Sequence, residues 1–283
     1  MQLADLVRAT DTVARTRARS EKVAILADLL DEADPDEVGI VVGLVSGDPR
    51  QGRIGVGWST VASLDVRPAA TATLSVLDLD TLLTSVARMR GPGSQEARHT
   101  ALADFLSHAT PDESDFVRRL LVGELRQGAN AGVVTQAVAA AASVPAAAVR
   151  RAAMLTGDLA ATAIIAMREG RSGLDAVRLE VMRPIQPMLA STAASATEAI
   201  GDLGRSSVEW KLDGIRIQVH RNGTVVRVWT RNLNEITDAV PGVVDAGLAL
   251  DAERLVLDGE ILGVDETGAP LAFQDTASGG TVA

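Results

Sequence analysis

Near residue 179 the apolar pattern of this 283-residue chain changes its period. Upstream, Ala-rich stretches repeat apolar residues at helical spacing and seldom alternate, which selects helices. Downstream, apolar and polar positions alternate, which selects strands. One packing layer cannot satisfy both patterns, so two domains are expected, over 1–178 and 179–283, each long enough to bury a core.

In the first part, segment 12–31 places Val23, Leu26, Leu29 and Leu30 at helical spacing. PDESDFVRRLLVGEL, 111–125, opens with proline and acids as helix starts do. Helices are expected at 131–143 and 145–154, divided by Val144-Pro145, and at 157–169, stopping at Gly170. Two loops rich in glycine and arginine interrupt the series, at 46–59 and 89–99. In the second part, GIRIQVHRNGTVVRVWTR alternates around Asn222-Gly223, a strong hairpin signal, with Ile215, Ile217 and Val219 on one face and Arg216, Gln218 and His220 on the other. RLVLDGEILGV, 254–264, reads as a further strand, followed by a turn at ETG and a short strand LAF.

Composition removes several chemistries. The chain has no cysteine, which excludes disulfides, thiolate metal sites and thiol nucleophiles, and three histidines argue against a histidine metal cage. No stretch approaches the ~18 apolar residues of a membrane span, so a cytoplasmic protein is expected. The formal net charge is −10, and nucleic-acid binding must therefore use local arginine clusters. Of 27 basic residues only Lys22 and Lys211 are lysines. Arginine stays protonated in proteins whereas lysine can lose its proton, so an amine nucleophile is sought at these two positions.

Lys211 stands in Glu-Trp-Lys-Leu-Asp-Gly-Ile-Arg, 209–216. In an extended strand Glu209, Lys211 and Asp213 would share a face, with Trp210 and Leu212 packed behind them. A surface ion-pair ladder would use the same residues and contribute little. The full pattern E-x-K-x-D-G-x-R specifies five positions, however, and arises by chance on the order of 10⁻⁴ of the time in a chain of this length.

K-x-D-G resembles motif I of the covalent nucleotidyltransferases, which comprise DNA ligases, RNA ligases and mRNA capping enzymes. In that superfamily the lysine attacks the α-phosphate of a nucleoside triphosphate and carries the nucleotide as a phosphoramidate. Leu257-Asp258-Gly259-Glu260-Ile261 resembles motif III, and Trp229-Thr230-Arg231-Asn232 is similar to a nucleotide-contacting segment of ATP-dependent DNA ligases. PIQPMLA (184–190), IGVGWS (54–59) and GELRQGAN (123–130) extend the likeness over nearly the whole chain, to ATP-dependent DNA ligases and nearest the actinobacterial LigB type. RNA ligases and capping enzymes lack the helical domain.

The resemblance implies a multi-domain α and α+β chain: an all-helical DNA-binding domain, then the N-terminal part of an antiparallel-sheet nucleotidyltransferase (adenylation) domain, without an OB-fold domain. It implies ATP as substrate, Mg²⁺, and nicked duplex DNA as partner of a monomeric ligase with no membrane association. Lys211 would be the adenylated nucleophile, Glu209 would contact adenine, Arg216 and Arg231 would meet ribose and phosphate, and Glu260, with Asp258 on the same strand face, would lie near ribose or metal. Arg50, Arg53, Arg118, Arg119 and Arg126 are candidates for DNA phosphate contacts. The sequence ends at LAFQDTASGGTVA, ahead of the family's stacking aromatic, second metal carboxylate and Lys-x-Lys pair, with Phe273 too early for the aromatic. The chain alone is therefore expected to seal nicks weakly or not at all, and the competing reading is a non-catalytic duplex-DNA-binding fragment.

Overall fold

The computed structural model describes residues 1–271 except Arg53, Arg126, Gln127, Leu189, Trp210, Glu266 and Gly268. The chain divides into two compact units: Met1–Ala153 with Asp158–Val177, and Met154–Gly157 with the chain from Arg178 onward. The change of unit after Val177 falls one residue from the change of hydrophobic period, whereas the assignment of Met154–Gly157 to the second unit has no counterpart in that pattern.

The first unit is helical: α1 (Leu3–Arg15), α2 (Arg19–Asp31), α3 (Val38–Ser46), α4 (Trp58–Ala62), α5 (Val76–Arg88), α6 (Ser94–His108), α7 (Pro111–Leu121), α8 (Ala131–Ala141), α9 (Ala146–Thr156) and α10 (Leu159–Ala176), with the end of α9 belonging to the second unit. Starts are written in the sequence. Ser75 with Asp78 and Thr110 with Glu113 form capping boxes on α5 and α7, and Asn130 and Asp158 cap α8 and α10. Leu3, Leu26, Leu44, Leu79, Leu102 and Phe116 meet in one continuous core.

One helical expectation needs correction. Segment 12–31 is two helices, because Thr16 bonds back to Thr12 O through both its amide (3.0 Å) and its hydroxyl (2.7 Å), closing α1 before α2 begins. The last helix is interrupted at Gly170, as expected. That glycine takes φ 60° and ψ −145°, outside the helical region, and a second helical stretch then runs to Ala176 within α10.

The second unit holds α11 (Ala196–Leu203), β1 (Ile215–Asn222), β2 (Val225–Thr230), α12 (Pro241–Ala249) and β3 (Arg254–Ile261), the strands in antiparallel order β2-β1-β3. Neither helix was expected, although Ser195 with Glu198 and Pro241 are ordinary start signals. The hairpin turns one residue later than Asn222-Gly223 implies: Asn222 still pairs with Val225, and Gly223, at φ 61°, takes the first loop position. Ile217, Val219, Val226 and Val228 pack with Val240, Val243 and Val244 at and within α12. Arg221 NH1 donates to the carbonyls of Gly247, Leu248 and Leu250, closing the end of that helix. The expected polar face of β1 is not open to water. Gln218 and His220 are buried, because the segment at Met182–Ile185 is hydrogen-bonded across them.

Candidate active site

The site is built where β1 begins. Residues 211–213 belong to no strand, and β1 starts only at Ile215. Leu212, expected to pack behind the motif, is 45% exposed, and Trp210 lies outside the described residues. Strand pairing therefore does not fix the direction of these side chains. A different constraint brings the groups together.

That constraint is Gly214. A Cβ there would lie 2.2 Å from the carbonyl oxygen of Ile261, so only glycine lets the chain run this close to β3. In that approach Gly214 N donates to Glu260 Oε1 at 2.7 Å. Lys211 precedes it at the surface, its side chain 86% exposed and its Nζ 3.4 Å from Asp213 Oδ1.

Asp258 and Glu260, two apart on β3, lie on the face that carries Arg216, as expected for the DGE motif. Their roles diverge. Asp258 takes Arg216 in a two-bond fork, Nε to Oδ1 at 3.0 Å and NH2 to Oδ2 at 2.7 Å. The hydrogen bond with Asp258 raises the Arg216 pKa above its usual value, against some desolvation. This pairing was not foreseen; the sequence signal for it is the opposite charge two residues apart on strands whose register sets Arg216 beside Glu260 and Gln218 beside Asp258.

Glu209, Lys211, Arg216, Arg231, Asp258 and Glu260 line one cavity of about 1020 Å³ within the second unit. Glu209 Oε1 accepts from Ser207 Oγ at 3.0 Å. Arg231 is exposed on a turn that follows β2. Among the described residues no group of three or more His, Asp or Glu side chains is arranged to hold a metal ion. Two guanidiniums, an amine and four carboxylates, Asp213 among them, surround an open, polar cleft, and the cations suit an anionic ligand that also carries hydroxyls.

In the first unit the arginines separate. Arg118 is spent internally: Nε donates to Ser114 Oγ (3.2 Å), NH1 to Val61 O (2.8 Å) and NH2 to Leu64 O (2.8 Å), so it clamps the end of α4. Arg50 forks onto Asp80, with Nε 2.7 Å from Oδ1. Arg119 pairs with Asp115 at 2.8 Å and lies 3.8 Å from Asp11. Arg53 and Arg126 lie outside the described residues. Arg98, not singled out from sequence, holds the glycine loop by donating to Gly55 O (3.1 Å) and Met89 O (2.6 Å).

Comparison with known proteins agrees with this organisation. The family described as DNA ligase N terminus matches residues 59–139, and the ATP dependent DNA ligase domain matches residues 187–279. A helical unit of the first kind followed by a sheet unit of the second defines a ligase-type chain. A protein of Pseudarthrobacter chlorophenolicus named "Probable DNA ligase" is 48% identical over 278 residues, covering 98% of this chain and 55% of its own length. One of the same name from Rhodococcus jostii is 48% identical over 279 residues, with 98% and 56% covered. The chain thus spans about half the length of the curated relatives it matches. A solved structure named Pmar-Lig_PreS3 shares the fold at a TM-score of 0.50 and 18% identity, over 96% of this chain and 52% of that one. This chain belongs to the ATP-dependent DNA ligase family. Among its described residues no helix is long and apolar enough to cross a membrane.

Proposed function

We propose that this polypeptide carries out the chemistry of an ATP-dependent DNA ligase, with residues 1–178 gripping duplex DNA and residues 179–283 receiving ATP. The observation that carries the reading is the convergence of Lys211 with Arg216, Arg231, Asp258 and Glu260 on one cavity. The neutral Lys211 amine attacks the α-phosphorus of ATP. A nitrogen–phosphorus bond forms, the bond to the bridging oxygen breaks, and pyrophosphate leaves with that electron pair. Before attack the ammonium must lose a proton, for which Asp213, 3.4 Å from Nζ, is the adjacent acceptor. Arg231 and the Asp258-braced Arg216 meet phosphate and ribose, and Glu209 stands at the adenine end. The AMP then passes to the 5′-phosphate of a nick, and the 3′-hydroxyl displaces it.

Mg²⁺ binds through one or two carboxylates plus substrate phosphates, a donor set that Glu260 and a bound triphosphate would provide. There it would neutralise charge on the leaving pyrophosphate. On the helical unit, Arg50 and Arg119 with Arg53 and Arg126 are the proposed phosphate contacts, while Arg118, held by Val61 and Leu64, contributes to shape. The chain acts as a cytoplasmic monomer in this reading.

Incubation with ATP and Mg²⁺, followed by intact mass and peptide mapping, is expected to show an AMP adduct on Lys211 that is absent in Lys211→Ala. The second reading is a non-catalytic duplex-DNA-binding fragment. DNA binding without an adduct would select it.

A further inference from the structure

Three chain segments meet on the Arg216 face of the sheet. Met182 N donates to His220 Nδ1 at 3.0 Å, and Gln218 grips Ile185 by both ends of its amide, accepting from the backbone N–H at 2.9 Å and donating to the carbonyl. One residue on, Gln186 N donates to Met154 O at 3.0 Å, which ties this segment to Met154–Gly157. A Cβ at Gly157 would lie 2.9 Å from Pro184 O and 3.5 Å from Leu233 Cδ1. Leu233 closes the turn that presents Arg231 to the cavity: Leu233 N donates to Thr230 O and Thr230 N to Asn234 O, each at 2.9 Å.

Leu233 has φ 61°, in the left-handed region that favours glycine or asparagine. Of the three non-glycine residues with such φ among those described, two, Met182 and Leu233, belong to this knot. Such conformations persist where the surroundings over-determine them. Here a neighbour is visible: the leucine side chain lies beside the glycine after α9, whose φ of 69° and closeness to Pro184 O call for glycine. Thr230 Oγ1 is buried without a partner, so the threonine hydroxyl adds no tie to the turn.

We propose that Leu233, seated on Gly157, is a positioning residue that sets where the Arg231 guanidinium meets the nucleotide. The proposal rests on the reading of the cavity as the ATP site. It makes a corner of the helical sequence, Met154–Gly157, part of the scaffold of the nucleotide site. Replacing the leucine would leave Arg231 in place chemically but let its turn drift.

The test uses the full chain with Leu233→Gly, Leu233→Met, Arg231→Ala and the Leu233→Gly/Arg231→Ala pair. ATP binding, the KM and kcat of lysyl-AMP formation, and Tm are measured for each. Leu233→Gly is expected to keep or raise Tm, because its backbone accepts the turn, while ATP KM rises about tenfold with little change in kcat. Leu233→Met is expected to restore most of the loss, and the double variant to be no worse than Arg231→Ala. A wild-type KM in Leu233→Gly, or losses that add in full in the double variant, would overturn the proposal. Should the glycine variant fail to fold, Leu233→Asn, which tolerates the same backbone and lacks the apolar anchor, is read by the same criteria. Wild-type protein that neither binds ATP nor forms the adduct would overturn the nucleotide reading and this proposal together, a result seen before any variant is compared.

Discussion

Lys211 owes its accessibility to the absence of packing around it, which separates its chemistry from folding. Lys211→Arg keeps the charge yet offers no amine that can be deprotonated. It is expected to leave Tm within about 2 °C of wild type while abolishing the AMP adduct, checked by thermal melts beside intact mass. Asp258→Ala tests the brace on Arg216. Both partners are substantially exposed, so the stability change is expected below about 1 kcal/mol in urea titration. Adduct formation is expected to fall by about tenfold or more, since the guanidinium loses its fixed orientation. Lys211, Arg216, Arg231 and Glu260 stand in motifs legible in the sequence, and all four line the cavity. Asp258 as a brace was not legible there, since strand register decides it and register is a property of two distant segments.

At the level of elements, β1 is the central strand, and its two ends are secured differently. Gly214→Ala would drive a Cβ into the Ile261 carbonyl, a backbone atom that cannot swing away, and is expected to destabilise the second unit by about 3 kcal/mol in urea titration. Further along, His220 is fully buried, accepts the Met182 N–H on Nδ1, and meets the Trp229 ring edge-on at 4.7 Å between centroids. Burial pushes its pKa below the usual histidine value. The unfolded chain then takes up this proton more readily than the folded one, so stability is full above about pH 6.5 and declines as pH falls toward the folded pKa. Its ring meets Trp229, and its cross-strand partners are Val256 and Arg227, the latter paired with Glu235 at 3.0 Å. Melts between pH 7.5 and pH 5 are expected to show that decline, and His220→Gln to flatten it. Alternation revealed the three strands but not that both faces of β1 are covered. The covering strap, Met182–Ile185, has neither helical nor strand periodicity, so its docking depends on Gln218 and His220 rather than on its own pattern.

Across the whole chain, the helical series was legible because apolar period and caps agree, and so was the break that Gly170 marks, whereas the break at Thr16 was not, because it acts through backbone hydrogen bonding. With a net charge of −10, the proposed DNA affinity rests on local arginines, of which Arg50 and Arg119 are already engaged with aspartates. Burial alone would raise the Asp80 pKa, but bonds from Arg50 and Gln51 hold it low, so this partner stays charged and competes with phosphate for Arg50. Binding is therefore expected to weaken with salt along a shallow slope, of about two to four released counterions, measured by titrating nicked duplex between 50 and 200 mM salt. One element has a consequence for handling the protein. Helix α11 buries none of its eight residues, and a helix that short is marginal in water without tertiary support. Its amides should exchange with deuterium far sooner than those of β1, and trypsin should find Arg205, two residues beyond it, early in digestion, releasing a peptide chain that still carries Lys211 from the rest of the molecule.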